Sequence, residues 1–247
     1  MRLNLIAAMA LLIASLANAE ELRPIGVARI DITPDYPIRL CGYAARKTPS
    51  EGVEQKLWAK ALAIGSDEDL VIIVTVDNTA VGANVSDEVA RRMEQKFKLP
   101  RERFVLCSSH SHCTPCLTGS LVNMFGYRLP DDQLAAIDKY TKELIEKLEK
   151  VCNDAVADRK PAKLMWGQGE AKFAANRRTK DGPVDQAMPM LAAVDGEGKL
   201  RAVLINYACH CTTLGSDMNK TNGDWAGYAQ ETFEQANPGT YRAALAS

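Results

Sequence analysis

Residues 69–76 read Asp-Leu-Val-Ile-Ile-Val-Thr-Val, and the last six of them are all β-branched. A stretch with no polar face has to be covered on both sides. It therefore predicts a central strand in a sheet that carries a layer on each face. The run stops at Asp77-Asn78, which puts polar side chains at a strand's carboxyl end. The period then changes. Val85, Val89, Met93 and Phe97 recur every four residues, after a cap at Asn84 or Ser86, and Pro100 ends the helix they predict. Residues 103–107 follow as another short strand.

The rest of the chain alternates in the same way. Residues 25–32 alternate apolar and polar side chains before Thr33-Pro34, and residues 57–64 are a second strand of this kind. Residues 131–157 form the clearest helix, with Leu134, Ile137, Leu144, Leu148, Val151 and Ala155 on one stripe and charges elsewhere. Residues 163–173 read as a strand. Residues 190–207 read as a hairpin turning at Asp195-Gly196-Glu197-Gly198. Residues 224–235 predict a final short helix, and residues 241–247 the start of one more strand. No sequence repeat or low-complexity linker interrupts the order. The expected class is α/β, mixed α+β: a mixed sheet flanked by helices, with site loops at strand ends.

With 247 residues, the chain suffices for one large domain or two small ones. A formal net charge of −1 gives no electrostatic reason to expect nucleic acid as a partner. The N-terminus is more specific. Arg2, an apolar run over residues 3–16 and Ala17-Asn18-Ala19 form a secretory signal peptide, residues 1–19, so the protein is expected to be secreted or periplasmic. The apolar run is shorter than the roughly 20 residues that a membrane span needs.

Export makes the cysteines informative, because an oxidising compartment permits disulfides. There are seven: Cys41, Cys107, Cys113, Cys116, Cys152, Cys209 and Cys211. An odd number leaves at least one unpaired within the chain. Cys209-x-Cys211 is tighter than the C-x(2–4)-C spacing of structural zinc sites. That favours small buried residues or disulfide partners over thiolate ligands.

The chain has only three histidines, and all follow strand ends. His110 and His112 lie two apart in Ser108-Ser109-His110-Ser111-His112-Cys113-Thr114-Pro115-Cys116, and His210 sits in Ala208-Cys209-His210-Cys211-Thr212-Thr213. In an extended segment, residues i and i+2 point to one side, roughly 6–7 Å apart. Imidazole is a common zinc ligand, and catalytic zinc usually takes three protein ligands and a water. A serine or cysteine nucleophile beside these histidines is the competing chemistry, but no G-x-S-x-G elbow is present to expose one. An exported metal-binding protein without catalysis is a further alternative, and it predicts ligation through sulfur.

Several segments together resemble a known family. Asp31-Ile32-Thr33-Pro34 with Gly42-Tyr43-Ala44, Ser109-His110-Ser111-His112 with Pro115, Asn176-Arg177, the His210 segment, and Gly223-Asp224-Trp225-Ala226-Gly227-Tyr228-Ala229 occur in the order found in neutral/alkaline non-lysosomal ceramidases. The resemblance covers most of residues 20–247. It implies a Zn2+-dependent amidohydrolase acting on a ceramide-like lipid amide, with peripheral contact to a lipid surface. It implies His110 and His210 as zinc ligands. His112 would assist substrate binding and the tetrahedral intermediate, and Arg177 would line the same site. Cys113-Thr114-Pro115-Cys116 departs from the family's Ser-Gly-Pro. The family's other ligands, a glutamate and a tyrosine, and a serine-bearing loop are expected downstream of Ser247. Residues 20–247 are thus expected to be the N-terminal part of the catalytic domain. Asp224 is the nearby carboxylate that could substitute as a ligand. The same scaffold could also serve another amide or an ester.

Overall fold

The computed structural model describes residues 22–238 and the backbone of residues 242–246. The expected signal peptide, residues 1–19, lies outside them. The elements run β1 (Arg23–Asp31), β2 (Trp58–Ile64), β3 (Val71–Val76), α1 (Ala83–Phe97), a single 3-10 turn (Arg101–Arg103), β4 (Phe104–Ser108), α2 (Asp131–Ala157), β5 (Lys160–Glu170), β6 (Ala187–Asp195), β7 (Leu200–Asn206), α3 (Asp224–Ala236) and β8 (Arg242–Ala246). The class is α/β with a mixed sheet, as the residue pattern predicts.

All eight strands share one hydrogen-bonded sheet in the order β4-β3-β2-β1-β5-β6-β7-β8. The centre is antiparallel. Only the outer pairs, β3 with β4 and β7 with β8, run parallel. Parallel neighbours need a crossover, and α1 and α3 provide the two. The halves β1-β2-β3-α1-β4 and β5-β6-β7-α3-β8 therefore share one element order, joined through α2, although no sequence repeat marks it.

The alternation along β1 and β2 explains the layering. Ala28, Ala59, Ala61 and Ala63 face one core, where Ile137, Tyr140, Leu144, Leu148, Val151 and Ala155 of α2 and Val85, Val89 and Met93 of α1 meet them. Ile25, Val27 and Leu62 point the other way and pack on Ala162, Ala193 and Ala202 of the second half. The sheet thus folds back on itself, and β3 is fully covered on one face, with Val71 and Ile73 on the other only half-buried. Ile72, Val74 and Val76 are essentially inaccessible. Gly26 sits where α2 approaches closest: a Cβ there would lie 1.9 Å from the Ala155 carbonyl oxygen.

Two local expectations are corrected. The N-cap of α1 is Gly82, with no side-chain cap. Asn84 instead donates to the Thr118 carbonyl (2.9 Å), and the Ser86 hydroxyl to the Ala83 carbonyl (3.4 Å). The strand expected at residues 163–173 is β5, three residues earlier, because Lys160 and Pro161 already pair with Ile25 and Pro24 of β1. Of the two roles expected for the cysteines, the structure shows the buried one: all seven are free thiols, and five of them are buried. The hairpin turn stands, with Asp195 accepting from the Glu197 and Lys199 amides and Gly198 at φ +82°. No helix among the described residues is long and apolar enough to cross a membrane.

Candidate metal centre

The loops that leave three strands converge on one spot. The segment after β3 brings Thr79, the segment after β4 brings His110 and His112, and the segment after β7 brings His210. The two histidine segments are tied directly by the His112 amide, which donates to the Cys211 carbonyl (3.3 Å). Ser111 adds a hydroxyl bond to the Asn222 carbonyl (2.8 Å), and the Asn222 amide donates to the Cys113 carbonyl (2.9 Å). Thr79 anchors the other side: its hydroxyl donates to the Ser111 carbonyl (2.6 Å), and its amide to the Thr114 hydroxyl (2.9 Å).

The ring nitrogens of His110, His112 and His210 nearest one another all lie within 4.8 Å. The ring centroids stand 5.1 Å (His110–His112), 4.3 Å (His110–His210) and 4.7 Å (His112–His210) apart. Two nitrogens bound tetrahedrally at zinc distances are separated by roughly 3.3 Å, so small side-chain adjustments bring this donor set onto one ion. His110 Nδ1 lies 2.5 Å from the Thr79 carbonyl oxygen. A carbonyl can only accept, so Nδ1 carries the proton and Nε2 keeps its lone pair. Metal-ligating histidines are usually oriented in this way. His110 is held at φ +58°, a left-handed conformation that side chains rarely adopt, at the turn out of β4.

His112 has a different setting. Its ring fills the space where Gly42 lacks a side chain: a Cβ there would lie 2.3 Å from the ring. Tyr43 covers it edge-on at 4.9 Å. Nδ1 is buried without a partner, and Nε2 lies 2.9 Å from His210 Nε2. Burial, followed by the nearby His210, His110, Arg46 and Arg177, pushes the His112 pKa down to about 4. His210 is also lowered, first by burial and then by His110 and Arg177. Neutral rings are the form that binds metal.

Arg177 is exposed and shares a cleft of about 320 Å³ with His210, Thr212 and Thr213. The structure therefore brings His110, His112 and His210 together and places Arg177 in the cleft beside His210. Asp224 does not join them as a ligand. It is fully buried, and its Oδ1 accepts from the Thr213 amide (3.2 Å), the Thr213 hydroxyl (2.5 Å) and the Trp225 amide (2.7 Å), while Oδ2 accepts from the Leu214 amide (3.0 Å). Its carboxylate is used up in fixing the loop that carries His210. No cysteine belongs to the donor cluster among the described residues. Cys113 Sγ accepts from Arg46 (3.3 Å), and Cys211 is fully buried.

Two contributors escape the residue pattern. Thr79 acts through its carbonyl, which any residue could supply. Arg46 is buried and donates to the carbonyls of Cys41 (3.1 Å), His112 (2.5 Å), Ser216 (3.3 Å) and Met218 (2.7 Å). It locks the turn beneath His112. Its place four residues after Gly42 is the only trace it leaves in the sequence.

Three imidazoles at strand exits, one of them oriented by a backbone carbonyl, give this α/β domain a donor set that could hold a metal ion. The chain belongs to the family described as neutral/alkaline non-lysosomal ceramidase, N-terminal, whose model matches residues 24–245. It is 22% identical over 227 residues to the neutral ceramidase of Pseudomonas aeruginosa, covering 85% of this chain and 33% of that protein. The chain thus spans about a third of that relative's length. The crystal structure of neutral ceramidase from Pseudomonas aeruginosa superposes with a TM-score of 0.79 at 21% identity, over 92% of this chain and 38% of that one. A ceramidase complexed with C2 gives 0.73, also at 21% identity, over 91% and 37%.

Proposed function

We propose that the protein is an exported zinc-dependent amidohydrolase that cleaves a ceramide-like lipid amide. The observation that carries the reading is the three-histidine cluster in which His110 presents Nε2 while Nδ1 is engaged by the Thr79 carbonyl. Family membership supports an amide substrate. Export rests on the leader-like residues 1–19.

His110 and His210 hold the zinc in this reading. When bound, zinc supplies Lewis acidity to water and carbonyl oxygen at neutral pH. His112 works beside it. Its buried Nδ1 has no acceptor, so the neutral ring keeps its proton on Nε2, facing the centre. A donor there suits the oxygen of a substrate amide as negative charge develops. Arg177, on the rim, adds positive charge to the same space. Gly42, Tyr43 and Arg46 keep the His112 ring in place.

The assignment separates the three histidines. His110→Ala and His210→Ala are expected to lose zinc and amide hydrolysis together, whereas His112→Ala keeps zinc and loses turnover by about 10²–10³-fold, as removal of one oxyanion donor does elsewhere. Metal content by atomic emission, with hydrolysis of N-acyl amides and the matching esters, decides it. Loss of zinc from His112→Ala would make His112 a third ligand. A metal-free wild type would reject the zinc reading. X-ray absorption showing sulfur ligation would favour the non-catalytic metal-binding alternative, and preferential ester cleavage would move the scaffold to another substrate.

A further inference from the structure

Two arginines lie buried where no carboxylate meets them. Arg39 is wholly inaccessible, with its guanidinium stacked 4.4 Å over the Phe125 ring. Its Nη2 donates to the Arg46 carbonyl (2.6 Å), while Nε and Nη1 have no hydrogen-bond partner. Arg46 donates to backbone carbonyls and to Cys113 Sγ. Among the described residues, neither guanidinium is paired with Asp or Glu. A buried cation is costly without a counter-charge. Beside these two lie three buried thiols, Cys41, Cys113 and Cys116, and a thiol can supply that charge as thiolate.

Two of the thiols meet. Leu40 bridges Pro115, and on either side the Cys41 amide donates to the Thr114 carbonyl and the Cys116 amide to the Arg39 carbonyl (2.8 Å each). Cys41 and Cys116 therefore fall on one face of the bridge, diagonal to each other. Their side chains are hydrogen-bonded. The Cys116 thiol donates, which holds the Cys41 pKa below the ordinary thiol value and pushes that of Cys116 above it. One thiol poised as thiolate beside a second that can resolve it is the arrangement of dithiols that exchange with disulfides. Both cysteines line a cavity of about 560 Å³ between the β4–α2 loop and the first turns of α2, which has room for a small molecule.

We propose that Cys41 and Cys116 are a dithiol site that exchanges with small-molecule disulfides and closes to a Cys41–Cys116 bond. The site is independent of the amidohydrolase reading. The Cys41 thiolate, its proton given to solvent, attacks one sulfur of the incoming disulfide. That S–S bond breaks, leaving a mixed disulfide on Cys41 and a free thiolate that takes the Cys116 proton. Cys116 then attacks Cys41 Sγ and expels the second thiolate, which takes a proton from solvent. Two protein thiols are oxidised and one small disulfide is reduced to two thiols. The new bond lies next to Gly42, the seat of the His112 ring. The probe is bis(2-hydroxyethyl) disulfide, added to the folded protein, with the linked peptides mapped by mass spectrometry without reduction. A Cys41–Cys116 link is expected in the wild type. Cys116→Ala is expected to stop at the mercaptoethanol adduct on Cys41, and Cys41→Ala to leave Cys116 unmodified. Closing this long loop is expected to raise the melting temperature by about 5–15 °C, reversed by dithiothreitol. Cys41 and Cys116 left as thiols, or linked to other cysteines instead, overturn the proposal. So does an adduct on Cys116 rather than Cys41, or a link that forms without raising the melting temperature.

Discussion

His112 has given up its proton to be where it is. Packed on Gly42 and under Tyr43, with Arg46 holding its carbonyl, it titrates near pH 4 rather than at the ordinary 6.5. Between those values the unfolded chain binds a proton that the folded chain does not. Stability therefore rises with pH across this window: the contribution is complete above about 6.5 and is lost as pH falls toward 4. Buried Asp77, whose pKa is raised by desolvation, titrates in the opposite sense, so a comparison isolates the histidine. The metal-free wild type is expected to lose more melting temperature between about pH 7 and pH 4 than His112→Asn does. Equal losses would show that the ring is not buried as described. At this scale, the sequence exposed the parts that act through side chains. Three histidines concentrated at strand exits were legible because imidazoles are scarce in the chain. The carbonyl of Thr79 was not, since no residue type signals a carbonyl. Asp224 was visible as a carboxylate near His210, but only the fold shows that its oxygens belong to Thr213, Leu214 and Trp225.

Elements were readable where their periodicity is complete. α2 begins and ends where its apolar stripe does, because one face meets the core and the other meets water. β5 was displaced because its first residues are chosen by β1 rather than by their own pattern: Pro161 lies opposite Pro24, and most of the strand is at least partly exposed. Contact between α2 and the sheet depends on small residues. Ala59, Ala61 and Ala63 of β2 and Gly26 of β1 let the helix lie close, and Gly26 touches its backbone. Gly26→Ala places a methyl group against the Ala155 carbonyl oxygen, an atom that cannot move without the helix. The expected cost lies at or above the upper end of the roughly 1–3 kcal/mol typical of overpacking. A chemical denaturation midpoint equal to that of the wild type would contradict the close approach.

Across the whole molecule, the three-histidine cluster joins the two halves of the folded sheet. His110, His112 and Thr79 come from the half ending in β4, and His210 comes from the loop after β7 in the other. The shared element order of the halves left no mark in the sequence, because the strands of the two halves solve different burial problems: β3 is fully buried on one face and mostly half-buried on the other, whereas β6 is half-buried along nearly all its length. A ligand that binds only the folded form adds RT ln(1 + [L]/Kd) to stability, about 2.7 kcal/mol at a hundredfold excess over Kd. For a chain of this size that corresponds to roughly 5–10 °C in melting temperature. Zinc is therefore expected to raise the melting temperature by about this amount and a chelator to reverse it, while His210→Ala, on an exposed loop, abolishes the shift. Because the ion would bridge both halves, hydrogen exchange should slow on both sides, around Asp77–Thr79 and around Tyr207–Leu214. Protection confined to one side would mean that the ion sits on one half's ligands alone, and the three-histidine cluster would not be its site.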